Sequence, residues 1–229
     1  MTRTSGFFFC AALFATAFAA GCGAGSGDSA PPEQAAEPAE DTVAVVFETA
    51  MGDVEVALYP DRAPVSVAQF LRYVDGAHYD GATLYRATRT AVGHSFDIVQ
   101  GGLRRLPMLT GDQGAADEEP PFPPIPHEST HDTGMRNERG VLSYARGEPG
   151  TANSEFFFNL GDSSVLNTDQ GGPDRDGFGY ATFGRVVRGI EVLDAIQQLP
   201  TDAPTDNEIV QGQILNDPVP IHTIRRATP

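Results

Sequence analysis

His127-Glu128-Ser129-Thr130-His131 has the spacing of a zinc-peptidase helix, in which two histidines one turn apart hold the metal and the glutamate acts as base. That chemistry needs a helix. Five prolines between residues 120 and 126, and Ser129, Thr130, Thr133 and Gly134 after them, make poor helical context. No third ligand stands out, so a zinc peptidase is the least favoured of three readings. Asp132-Thr133-Gly134 matches the aspartic-protease triplet. Two such carboxylates must share a proton, and the chain has no second copy. Asp174-Arg175-Asp176-Gly177, with Asp169 upstream, is part of a calcium loop without its regular spacing or closing glutamate, and reads more simply as an acidic turn. Gly93-His94-Ser95-Phe96-Asp97 lacks the final glycine of a nucleophile elbow. Both cysteines, Cys10 and Cys22, lie in the first 22 residues, so no disulfide or thiolate metal site serves the rest of the chain. Neither a metal nor a cofactor is expected.

Short apolar runs with one or two polar residues set into them are more informative. Gly140-Val141-Leu142-Ser143-Tyr144-Ala145-Arg146 is one, Asn153-Ser154-Glu155-Phe156-Phe157-Phe158 a second and Tyr180-Ala181-Thr182-Phe183-Gly184-Arg185-Val186 a third. Thr83-Leu84-Tyr85-Arg86 and Ile98-Val99-Gln100-Gly101-Gly102 are of the same kind. Each reads as a strand. Taken singly they are bland. A lone arginine in a strand is usually a surface residue, three phenylalanines in a row are barrel core pointing alternately in and out, and paired glycines are a turn or bulge. Their joint order and spacing resemble the cyclophilin family of peptidyl-prolyl isomerases, over residues 43–226.

Such a site needs no nucleophile. Rotation about an X-Pro bond is slow because amide resonance raises a barrier of about 20 kcal/mol. A catalyst must favour the twisted amide, whose nitrogen becomes pyramidal and accepts a hydrogen bond. One fixed cationic donor suffices in principle. The resemblance implies that Arg86 is this donor and that Gln100 steadies it and bonds substrate backbone. It implies that Phe157, Ile98 and Leu166 form the proline pocket. Ala145 and Arg146 would offer backbone groups to the residue before proline, and Tyr180 falls where members carry His or Tyr. The segment between Arg86 and Gln100 is longer than in typical members. Asp97 stands where a pocket phenylalanine is usual, with Phe96 beside it and able to turn in. Glu155 stands where glutamine is common and joins the expected substrate-binding set. Either carboxylate close to Arg86 would pair with it and compete with substrate. Two readings therefore stay open: an isomerase, and a catalytically weak cyclophilin-like module or holdase that grips proline-containing segments.

Elements able to position these residues are legible elsewhere. Val43-Ala44-Val45-Val46-Phe47 is apolar, and Val54, Val56 and Leu58 alternate with Glu55 and Ala57, with Met51-Gly52-Asp53 as a hairpin turn. Pro64 opens a helix with Val65, Ala68, Leu71 and Val74 at helical spacing and Phe70 beside them, ending at Gly76. A second helix fits residues 190–198, with Ile190, Leu193 and Ile196 on one stripe and Pro200 beyond. Many short strands and two helices predict a mainly β chain. With the resemblance, that becomes a closed eight-stranded antiparallel β-barrel capped by two α-helices. The proline-rich stretch 120–126 reads as an extended loop crossing the domain, with a polyproline ligand segment as the alternative.

The 229 residues carry 31 acidic and 15 basic side chains, a net charge of −16, and every basic residue is arginine. That balance argues against nucleic acid or an anionic membrane surface as partner. Arg3 and the apolar run 7–20, too short for a comfortable membrane span, predict a signal peptide over residues 1–21. Ala19-Ala20-Gly21-Cys22 resembles a bacterial lipoprotein box, with Ala19 in place of the usual leucine. Cys22 is then the lipidated N-terminus. Ordinary secretory cleavage, with Cys22 incidental, is the alternative. Residues 22–41 have too little apolar surface to offset ordering entropy and read as a tether to a domain over 42–227. The expectation is an exported, membrane-tethered monomer of the bacterial cell envelope acting on proline-containing polypeptides.

Overall fold

Residues 41–103, 120–161, 163–170, 176–205 and 207–228 are described by the computed structural model. The expected signal peptide, Cys22 and nearly all of the tether fall outside them, as do Asp174 and Arg175.

Strands β1 (Val43–Thr49) and β2 (Gly52–Leu58) form the expected hairpin. Its turn is closed by Thr49, whose Oγ1 donates to the Gly52 carbonyl at 2.7 Å and accepts from the Met51 N–H at 3.1 Å. Six further strands follow: β3 (Thr83–Thr88), β4 (Ile98–Gly102), β5 (Val141–Tyr144), β6 (Phe156–Asn159), β7 (Thr182–Arg188) and β8 (Ile214–Arg226). They close in the order β1-β2-β7-β5-β6-β4-β3-β8, every pair antiparallel. Closure removes the unpaired edges of an open sheet. The closing strand, β8, pairs with both β1 and β3. Pro218 and Pro220 interrupt its sequence pattern, so it is not singled out by periodicity.

Helix α1 (Pro64–Asp75) begins at the predicted proline and stops at Gly76. Its buried face is not the expected stripe. Val67, Phe70, Tyr73 and Val74 face the barrel, while Val65 and Ala68 are exposed. The two large rings outweigh the smaller aliphatics and turn the helix toward their own side. Ala63 offers no side-chain cap. Instead the Glu128 carboxylate accepts from the N–H groups of Val65 and Ser66 at 3.0 and 2.7 Å, satisfying two orphan donors and the positive end of the helix dipole.

A one-turn helix not anticipated from sequence, α2 (Thr130–Thr133), is started by a capping box between Ser129 and Asp132. Helix α3 (Ile190–Gln197) buries Leu193 and Ile196 as expected. The stretch 120–126 is indeed an extended strap on the domain. Ile125 bridges Ala152, Gln69 Nε2 donates to the Pro123 carbonyl at 3.1 Å, and Phe122 packs edge-on to Tyr73 at 5.0 Å.

Inside the barrel, Phe47 meets Phe156 and Phe158 edge-on at 5.5 and 5.2 Å. The three-phenylalanine run of β6 alternates, as a strand must. Phe156 and Phe158 join the main core, and Phe157 belongs to a separate small cluster on the other face.

Candidate active site

That outer face carries the site. Arg86 on β3 lies opposite Gln100 on β4, and Gln100 lies opposite Phe157 on β6, so the three form one row across neighbouring strands. The row depends on a bulge. Leu84 pairs with Gly101 and Arg86 with Gln100, so two residues of β3 stand against one of β4. Leu84 and Ala87 therefore both enter the core, while Tyr85 and Arg86 both face away from it.

Arg86 is half-buried and held on two edges. Its Nη1 donates to Gln100 Oε1 at 2.8 Å; its Nε and Nη2 donate to Gln213 Oε1 at 2.9 and 2.5 Å. Among the described residues this engages three of its five N–H groups and leaves two able to donate to another acceptor. Burial pulls the guanidinium pKa below its ordinary value. That value is so high that the group stays charged at neutral pH.

Beside the row, Ile98, Phe157 and Leu166 pack together, with Phe96, Ala145, Val165 and Tyr180 around them. All the expected pocket residues are thus brought to one place. Phe96 turns in, its ring centroid 5.9 Å from the Arg86 guanidinium carbon, and Tyr180 meets Phe157 edge-on at 5.4 Å. The Leu166 wall is tied down by Asn137, which is fully buried. Asn137 Nδ2 donates to the Leu166 carbonyl at 3.1 Å and the Tyr180 carbonyl at 3.4 Å, and its Oδ1 accepts from Ser143 at 2.8 Å and Asn159 at 3.2 Å.

The Ala145 N–H is already given to the Glu155 carbonyl at 2.9 Å, so a substrate would meet Ala145 through its carbonyl. The Arg146 side chain is only 1% exposed. It pairs with Asp176 at 2.7 Å, donates to the Gly179 carbonyl through Nε and Nη2 at 2.9 and 2.5 Å, and lies 4.9 Å from the Tyr180 ring centroid. Its side chain builds the loop that carries Tyr180.

The two carboxylates expected to compete for Arg86 both accept hydrogen bonds from other residues. Asp97 turns the other way, accepting from Thr90 N at 3.0 Å and Thr90 Oγ1 at 2.8 Å. The long segment before it is pinned to the end of α3, where Gln197 Nε2 donates to the Thr88 carbonyl at 2.7 Å. Glu155 lies behind the row rather than over it, 5% exposed, accepting from Tyr85 Oη at 2.7 Å. Gly102, at φ +151°, makes the space: a Cβ there would collide with the Glu155 carboxyl.

The zinc-peptidase spacing dissolves in the fold. Glu128 caps α1, His127 Nε2 faces the Phe178 carbonyl at 3.0 Å, and the His131 side chain is 87% exposed beside Asp132. Only His131 lies on α2, so the two histidines are not one helical turn apart. Among the described residues no three His, Cys, Asp or Glu side chains converge on a metal position.

Sequence reasoning missed Gln213 and Tyr85. Gln213 is 127 residues from Arg86, and nothing local marks it. Strict strand alternation would send Tyr85 to the opposite face from Arg86, and only the bulge keeps the two together.

Residues 44–224 match the family model described as cyclophilin type peptidyl-prolyl cis-trans isomerase/CLD. Peptidyl-prolyl cis-trans isomerase A of Dickeya dadantii is 39% identical over 159 residues, 69% of this chain and 73% of that protein. Peptidyl-prolyl cis-trans isomerase B of Escherichia coli is 30% identical over 181 residues, 76% of this chain and 99% of that protein. Among solved structures, a cyclophilin-type isomerase of Cryptosporidium parvum aligns with a TM-score of 0.62 at 22% identity, covering 82% of this chain and 99% of that one. The same protein was also solved in the presence of the dipeptide Ala-Pro, and that structure aligns with a TM-score of 0.61.

Proposed function

The chain belongs to the cyclophilin-type peptidyl-prolyl cis-trans isomerase family, and on that premise we propose that Arg86 is the electrophile with which it isomerises X-Pro bonds of exported polypeptides. The chain is a peptidyl-prolyl isomerase; the assignment of its parts is our reading. The observation that carries it is the row Arg86, Gln100, Phe157, with the guanidinium clamped by two glutamines beside an apolar pocket.

The proline ring sits against Phe157, Ile98 and Leu166, with Phe96 and Tyr180 at the margins. As the C–N bond twists, its nitrogen loses conjugation and gains a lone pair, toward which one of the two remaining N–H groups of Arg86 donates. No covalent bond forms and no proton is transferred. The twisted amide is favoured because the donor is already fixed and needs no reorganisation when the lone pair appears. The carbonyl of Ala145 and the amide of Gln100 hold the backbone on either side.

The holdase reading rested on Asp97 and Glu155 near Arg86, and both are engaged elsewhere. Arg3, the apolar run 7–20 and Ala19-Ala20-Gly21-Cys22 support export with lipidation of Cys22, and the protein then works as an envelope-tethered monomer. Among the described residues no helix is long and apolar enough to cross a membrane.

A prolyl-isomerisation assay on an X-Pro peptide, comparing the full chain with its Arg86→Ala variant, tests the central claim. Acceleration that falls by about 100-fold or more in the variant is expected; an unimpaired variant would refute it. Intact-mass analysis of the envelope-extracted protein tests the anchor: a mature N-terminus at Cys22 carrying acyl chains is expected, and an unmodified Cys22 would overturn it.

A further inference from the structure

Behind Gln100, on the side away from Arg86, lies a buried chain of two further groups. Gln100 Nε2 donates to Tyr85 Oη at 2.9 Å, and Tyr85 Oη donates to Glu155 Oε2 at 2.7 Å. With the Arg86 contact at 2.8 Å this makes three consecutive hydrogen bonds. Their direction is set by the two ends. A guanidinium can only donate, and a carboxylate can only accept. Gln100 must therefore show its oxygen to Arg86 and its nitrogen to Tyr85. The single phenolic proton then has to point at Glu155.

We infer that Tyr85 and Glu155 are positioning residues that lock the Gln100 amide in the one orientation able to fix Arg86. The inference rests on Arg86 being the electrophile. Without the pair, the two ends of the Gln100 amide are nearly isosteric and the side chain has a competing flip. The flipped form sets an N–H against the guanidinium and frees Arg86 from that edge. All three groups are shielded from water: Tyr85 is 0%, Gln100 2% and Glu155 5% exposed. A wrong amide orientation is costly there because no solvent repairs it.

Local sequence features make the arrangement possible. The β3 bulge brings Tyr85 to the same face as Arg86, and Gly102 clears the space the Glu155 carboxyl occupies. Burial and the neighbouring Glu155 both push the Tyr85 pKa well above its ordinary value, so the phenol keeps the proton it donates. Ser154 Oγ contacts Glu155 Oε1 at 3.3 Å and helps hold the carboxyl in place.

The test measures kcat and KM for an X-Pro peptide with the full chain carrying Tyr85→Phe, Glu155→Met, Glu155→Gln, Arg86→Ala, or Tyr85→Phe with Arg86→Ala. Thermal unfolding of each variant is followed in parallel. Tyr85→Phe and Glu155→Met are each expected to lower kcat by about tenfold, the scale of a displaced catalytic group, while KM stays within about twofold. Glu155→Gln keeps an oxygen that accepts from Tyr85 and is expected to recover most of that kcat. Adding Tyr85→Phe to Arg86→Ala is expected to cost nothing further, because the pair acts only through Arg86. If Arg86→Ala is inactive while Tyr85→Phe and Glu155→Met keep parental kcat, the positioning role is wrong and the electrophile assignment stands. If Glu155→Gln falls as far as Glu155→Met, or the losses track lowered melting temperature, the pair is merely structural and the inference is overturned. If Arg86→Ala keeps full activity, the electrophile assignment falls and the inference with it.

Discussion

Gln213 Oε1 lies 2.9 Å from Arg86 Nε and 2.5 Å from Arg86 Nη2, a single carbonyl oxygen spanning one whole edge of the guanidinium. Gln213 is itself held, its Nε2 donating to the Ile209 carbonyl at 2.8 Å. With Gln100 on β4 holding Nη1 and Gln213, the residue just before β8, holding Nε and Nη2, the arginine is fixed from two sides at once.

Replacing Gln213 by Leu keeps the size of the side chain and removes the clamp. kcat should fall by about tenfold with little change in KM, since in the proposed site the apolar pocket, which the substitution leaves intact, carries ground-state binding. Steady-state kinetics on an X-Pro peptide decide it; an unchanged kcat would show that Gln100 alone holds Arg86.

Asn137 is the joint between β5, β6 and the Leu166 wall. Asn137→Ala removes the acceptor for the buried Ser143 hydroxyl proton and one of two donors to the Leu166 carbonyl, which keeps only the Tyr180 N–H at 2.9 Å. It should cost about 2–3 kcal/mol of stability and weaken peptide binding by loosening the wall. Urea unfolding and peptide titration measure the two effects separately, and a stable variant with normal binding would contradict the account.

Burial, and then the charges of Arg86 and Arg89, hold the His94 pKa below its ordinary value. The imidazole is accordingly neutral at pH 7. Because the folded value is depressed, protonation opposes the fold, so stability is lost as pH drops below the unfolded value of about 6.5. NMR titration of the His94 ring should give a midpoint below that value. Arg86→Ala should move it upward; a midpoint insensitive to Arg86 would place His94 outside the reach of that charge.

Asp176 carries opposing influences. Burial, the largest, raises its pKa, but the Phe178 N–H and Arg146 together outweigh it and the net shift is downward. A depressed carboxylate contributes stability above its unfolded value of about 3.9, lost as pH falls through the lower folded value. The parent should therefore lose more urea resistance between pH 7 and pH 3 than Asp176→Asn does. Equal losses would mean that the Arg146 pair is not felt by the fold.

Much of this was written locally. The β1–β2 hairpin, the start of α1 at Pro64 and its end at Gly76, and the stripe of α3 follow from alternation, a helix-opening proline and glycine stops. These depend only on backbone preferences of neighbouring residues. The stripe of α1 was misread because helical spacing alone does not rank Val65 and Ala68 against Phe70 and Tyr73; the core does, by volume. α2 escaped notice because one turn is too short to show a period.

Alternation along short apolar runs by itself determined a mainly β chain, and the order of its motifs carried the resemblance to the cyclophilin family that implied the closed barrel and the set Arg86, Gln100, Ile98, Phe157 and Leu166. The tertiary structure alone decided which way the charged neighbours turn. Glu155 goes to Tyr85, Asp97 to Thr90, and Glu128 of the apparent zinc motif to the start of α1. Each carboxylate settles on donors that the fold brings to it, and they lie 7 residues away for Asp97, 63 for Glu128 and 70 for Glu155. Gln213 joins Arg86 for the same reason: barrel closure by β8 creates a neighbour that sequence distance conceals.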